Sequence, residues 1–149
     1  MKPADFFSKN EKERIGNAIK NAEKKTSGEI RLHVEMKCPE DVLDRAAFIF
    51  EKLKMHETML RNGVLFYISI KDRKFAILGD AGINQVTPDD FWEKIRERVT
   101  GHFKLGAFAD GLEQGIRLAG EALREHFPHE KDDVNELSND ISYGTNEPS

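Results

Sequence analysis

The sequence predicts a small three-layer α/β/α sandwich with a mixed sheet, two parallel strands plus an antiparallel hairpin partner, and about four helices. Two strand patterns carry that reading. Val64 to Ile70 is apolar at nearly every position, as a strand reads when helices cover both faces of its sheet. Residues 29 to 36 alternate instead, with Ile30, Leu32, Val34 and Met36 on one face and Glu29, Arg31, His33 and Glu35 on the other. The segments around both runs place apolar residues three and four apart, the helical spacing.

Taken in order, Ser8-Lys9-Asn10-Glu11 fits a capping box, in which hydroxyl and carboxylate each satisfy a backbone amide at a helix start. The helix that follows turns Ile15, Ala18, Ile19 and Ala22 to one side and ends near Lys24-Lys25, before Ser27-Gly28. The alternating strand comes next, and its polar face places it toward an edge. Pro39 suits a first helical turn, and Val42, Leu43, Ala46, Ala47, Phe50 and Leu53 mark a second helix. Residues 54 to 63 read as a loop. Val64–Ile70, the polar turn Lys71-Asp72-Arg73-Lys74 and Phe75–Leu78 form a hairpin that ends at Asp80. After the loop 79–87, Thr87-Pro88-Asp89-Asp90 opens a third helix that buries Phe91, Trp92, Ile95 and Val99. A last helix from about Ala107 to His126 carries Phe108, Leu112, Ile116, Ala119 and Leu123 and is stopped by Pro128. Its glycines 111, 115 and 120 predict close approach to a neighbour. A right-handed crossover makes the first two strands parallel, with room for one further short strand.

The 149 residues suffice for one domain, predicted over 1–128. Residues 129–149 hold six carboxylates against Lys131 alone, so the formal charge of −4 leaves the first 128 residues near +1. That acidic tail, short of apolar residues, is expected to be disordered. A nearly neutral domain has no basic field for nucleic acid, no apolar run approaches the length of a membrane span, and Met1–Asn10 lacks the features of a signal peptide. The expected location is the cytoplasm, which suits the single cysteine, Cys38, as a packed, inert thiol rather than a reactive one.

Ser27-Gly28-Glu29-Ile30, Arg61-Asn62-Gly63-Val64-Leu65, Asp72-Arg73-Lys74, Gly79-Asp80-Ala81-Gly82-Ile83 and Phe108-Ala109-Asp110-Gly111-Leu112, in this order and spacing, resemble the TPM domain family over roughly residues 5–128. The resemblance implies an α/β/α fold, divalent metal binding, usually of calcium, in some members, and a weak phosphatase activity. The chain departs from the family pattern where Arg61-Asn62-Gly63 replaces the usual Asp-Asn-Gly, which removes a carboxylate.

The loops 55–62 and 79–90 lie at the sheet end where the first two strands begin and the third finishes. Carboxylates, amides and carbonyls are the donors a hard cation prefers. Asp80 is therefore the expected principal ligand of a metal ion, Ca²⁺ first and Mg²⁺ second, with Asp89, Asp90, Glu29, Glu57 and Asn62 as further candidates and His56 for a softer ion. Plainer roles compete. Asp89 and Asp90 can serve helix amides, Asp80 can cap a turn, and Glu29 can be solvated. No Asp-x-Asp-x-Asp-Gly loop, His-Glu-x-x-His pair, Gly-x-Ser-x-Gly elbow or Walker loop occurs. The leading expectation is a metal-ordered module that regulates or binds an unknown protein partner. The alternatives are a metal-dependent hydrolase of phosphate esters and a metal-free interaction domain.

Overall fold

The computed structural model describes residues 1–130 and 136–144. A short 3-10 turn at Pro3–Asp5 leads into α1 (Lys9–Glu23), whose capping box forms as expected: Glu11 N donates to Ser8 Oγ at 3.1 Å and Ser8 N to Glu11 Oε1 at 2.9 Å. Then follow β1 (Glu29–Glu35), α2 (Val42–Lys52), a second 3-10 turn at Met55–Glu57, β2 (Gly63–Ser69) and β3 (Lys74–Gly79). The chain continues through α3 (Ala81–Asn84), α4 (Glu93–Lys104), α5 (Phe108–Arg124) and β4 (Ser142–Tyr143).

The sheet has the order β3-β2-β1-β4. β1 and β2 are parallel, from Glu29 opposite Gly63 to Glu35 opposite Ser69, and β2 and β3 are antiparallel, from Val64 opposite Gly79 to Ser69 opposite Lys74. The mixed sheet is thus the expected one, extended by β4, which runs parallel to β1 with Ser142 opposite His33. One sheet face, with Ile30, Leu32, Val34, Val64, Phe66, Ile68 and Ile77, packs against α1, α4 and α5 in the main core. The other, with Leu65, Tyr67 and Ala76, packs against Ala46, Ile49 and Phe50 of α2. Burial of these side chains at about 1.5–3 kcal/mol each is the main favourable contribution to the fold.

Three expectations are corrected. β1 is an inner strand, and Glu29, His33 and Glu35 on its polar side are buried, because residues 136–144 lie along it where the sequence reading expects disorder. The rest of the acidic segment, 131–135 and 145–149, falls outside the described residues. The 79–87 loop contains α3, so there are five α-helices among the described residues. Finally, α4 starts at Glu93 rather than near Pro88: Thr87 Oγ1 turns back to donate to Ile83 O at 2.8 Å, and Pro88–Trp92 form turns before the helix begins.

Candidate functional site

The rim built by the start of β2, the end of β3 and α3 centres on Asp80. Strand β3 delivers this residue into the interior, where it is 6% exposed and caps α3 by accepting from Ala81 N at 2.7 Å. Its carboxylate is also gripped by Arg61, Nε to Oδ2 at 2.8 Å and Nη2 to Oδ1 at 2.9 Å, a bidentate fork of the kind guanidinium geometry favours. Arg61 adopts a left-handed backbone, φ 52°. Its carbonyl accepts from Gly82 N at 2.9 Å, and a Cβ at Gly82 would lie 2.1 Å from Leu60 O, so only glycine lets α3 pack on the 60–61 backbone. The hydrogen bonds to Asp80 hold the Arg61 guanidinium above its ordinary pKa.

The other expected ligands do not converge on Asp80. Asn62 is buried as a clasp: its N donates to Thr58 Oγ1, its Nδ2 to Ser27 Oγ, and its carbonyl accepts from Glu29 N. Glu29 is 3% exposed and its Oε1 accepts from Leu137 N at 2.5 Å. Glu57, Asp89 and Asp90 are exposed. His56 alone among them shares a cleft with Asp80, about 400 Å³ in volume, floored by Ala47, Phe50 and Leu78 and edged by Glu51, Arg61 and Asn84. Among the described residues no three His, Cys, Asp or Glu side chains gather as a metal-binding group. With both Asp80 oxygens taken by Arg61, the donor set in this arrangement does not fit a hard cation, which needs six or more oxygens.

The TPM domain family model matches residues 1–122. This chain belongs to the TPM domain family. Its fold is shared by the BA42 protein from the psychrophilic bacterium Bizionia argentinensis, solved by NMR, at 49% identity over 94% of this chain and 97% of that one, with a TM-score of 0.89. The N-terminal domain of a P. gingivalis protein matches at 18% identity over 85% and 83% of the two chains, TM-score 0.69. That of the cg2496 protein from Corynebacterium glutamicum matches at 10% identity over 97% and 84%, TM-score 0.61. These last two show likeness of fold alone. No curated protein matches.

A second polar cluster in this TPM domain escaped the sequence reading. Glu35 on β1 accepts from Arg45 of α2 at 2.9 and 2.7 Å and from the Tyr67 hydroxyl at 2.5 Å, and His33 Nε2 lies 3.4 Å away. Burial opposes ionisation of Glu35, but the hydrogen bonds from Arg45, His33 and Tyr67 outweigh it and hold the carboxyl below its ordinary range. Burial raises the Tyr67 hydroxyl, and the bond to Glu35 raises it further. The available signal was Arg45 on the buried side of an amphipathic helix, beside the polar face of β1. Glu35, His33 and Tyr67 are buried, Arg45 is partly exposed, and the cluster joins α2 to the sheet. Cys38 is likewise buried, with Sγ donating to Glu40 O at 3.3 Å. No described helix is long and apolar enough to cross a membrane.

Proposed function

We propose that this TPM domain is a non-catalytic binding module, acting in the cytoplasm, that recognises a protein partner at the rim formed by residues 55–62 and 79–90. The observation that carries the reading is the Arg61–Asp80 fork. Within the rim, Arg61 supplies the positive charge that a bound ion supplies to a carboxylate-rich site, so the loops are ordered without one. Beside this closed pair the rim carries exposed apolar side chains among its polar ones: Met59 is 86% exposed, and Leu60 and Val86 are about half exposed. Adjacent exposed apolar side chains beside a cleft with an apolar floor are what a protein interface buries.

Calcium or magnesium at Asp80 is the second reading, and one observation favours it. The Arg61 side chain is half exposed, so a cation can compete for the carboxylate by displacing it outward. Phosphate-ester hydrolysis has less support, because a phosphoryl group needs uncommitted positive donors and Arg61 is committed to Asp80.

Photo-cross-linking from position 59 in a cell lysate, read by mass spectrometry, tests the binding site. Leu60→Asp is expected to abolish the captured band. Leu105→Asp, at a still more exposed leucine at the opposite sheet end, where Arg73 contacts Lys104, is expected to keep it. Capture that survives Leu60→Asp, or metal-dependent turnover of an aryl phosphate that Asp80→Asn removes, contradicts the proposal.

A further inference from the structure

Residues 136–144 run beside β1 with contacts at intervals along it, and all lie beyond the residues that the family model matches. Glu136 accepts from Met59 N at 3.1 Å, and Leu137 N donates to Glu29 Oε1 at 2.5 Å. Asp140 sets its charge against Arg31. Ser142 Oγ lies 2.7 Å from His33 Nδ1 and 3.3 Å from Leu32 O, and Gly144 N donates to Val34 O at 2.8 Å. Gly144 sits so close to Glu35 that a Cβ there would be 2.6 Å from Oε2. Ile141 and Tyr143 pack on the main core and Leu137 on the α2 side. An extended segment that pairs with a strand edge while its side chains answer those beneath is how a peptide binds by strand addition.

The fit is incomplete at two places. Pairing covers only Ser142 and Tyr143 of a seven-residue strand. Arg31 Nε is buried with no hydrogen-bond partner among the described residues, and burial lowers the pKa of this guanidinium while Asp140 only partly offsets that. A buried guanidinium donor left unbonded costs free energy that a better-placed carboxylate recovers.

We propose that the polar face of β1 is a peptide-binding groove, held in the resting chain by residues 136–144, in which an extended acidic segment of a protein partner replaces them, its carboxylate meeting Arg31. Tethering gives the resident segment an effective concentration on the order of millimolar, so a partner must bind more tightly than the tail does, and the tail acts as a threshold. The groove adjoins the rim at Met59, whose N bonds Glu136, but its test reads Arg31 and Gly144 at the far part of the segment, so its failure leaves the rim reading untouched.

The test uses the full chain and a fluorescein-labelled peptide with the sequence of residues 136–144. Gly144→Pro removes the amide that bonds Val34 O and crowds Glu35, so it loosens the resident segment. The variant is expected to bind the peptide at least tenfold more tightly than the unaltered chain, and Arg31→Gln in the same background is expected to reverse the gain. Hydrogen exchange on the unaltered chain, where Leu137 and Gly144 amides should open well before those of β2, serves even if the variant does not fold. A folded Gly144→Pro chain that ignores the peptide overturns the proposal, as does exchange of Gly144 only with global unfolding. A concentration-dependent dimer would put a second copy of the chain in the groove and overturn the partner assignment.

Discussion

Two glutamates on or beside β1 carry opposite electrostatics for reasons visible in their surroundings. Glu35 is surrounded by Arg45, Tyr67 and His33 and stays ionised, so the stability it contributes is present above its unfolded pKa near 4.5 and is lost as pH falls below that. Glu23 has no cation paired with it among the described residues. Burial raises its pKa from 4.5 to about 7, with the Glu29 charge adding to the shift and the hydrogen bond from Ile30 N at 2.9 Å opposing it. The folded chain therefore takes up a proton there that the unfolded chain does not, and the associated stability is lost as pH rises from about 4.5 to 7. Glu23→Gln keeps an acceptor for Ile30 N and removes the ionisation. Urea denaturation should find the variant more stable than the unaltered chain by about 1–2 kcal/mol at pH 8, a shift of this size discounted for partial exposure, and equal to it at pH 4. A variant less stable at pH 8 would mean that the charge is favourable where it sits.

At the scale of elements, α5 shows what its glycines are for. A Cβ at Gly115 would meet Val99 Cγ2 at 2.5 Å, and one at Gly120 would meet Ala22 Cβ at 2.7 Å and Cα at 2.9 Å, so α5 lies against α4 and α1 closer than any side chain allows. Gly120→Ala removes a helix-weakening residue, yet the collision is with backbone that cannot move aside. Thermal or urea denaturation should show a net loss of about 1–3 kcal/mol. Gly16 in the middle of α1 has nothing within 4 Å of its virtual Cβ, so Gly16→Ala should stabilise by about 0.5–1 kcal/mol. Equal effects at the two positions would show that the close approach between α5 and α1 is not what Gly120 provides. These contacts were legible in advance, because glycines 111, 115 and 120 interrupt an otherwise regular apolar stripe. The start of α4 was not. Thr87-Pro88-Asp89-Asp90 has every local feature of a helix opening, but Thr87 bonds backward to Ile83 O, a competition that only the presence of α3 reveals.

For the whole molecule, hydrophobic patterning located β1, β2 and β3, and the right-handed crossover and the polar hairpin turn gave their order and direction. It misled where a polar residue is buried against another. The alternation at 29–36 suggests water on one side, whereas Arg45 and Tyr67 bond Glu35 there, Ser142 meets His33, and residues 136–144 close over them. The rim followed the same rule. Asp80 was recognisable as the residue to watch, and Arg61 as a departure from the family pattern, but that one answers the other became apparent only when β2 and β3 were set side by side. The account depends on that pair, with Arg61 filling the place a cation would take. Isothermal calorimetry with Ca²⁺ on the unaltered chain, Arg61→Asp and Asp80→Asn tests it most directly. Heat of binding should appear with Arg61→Asp and be absent from the other two; binding to the unaltered chain that Asp80→Asn abolishes would contradict the claim.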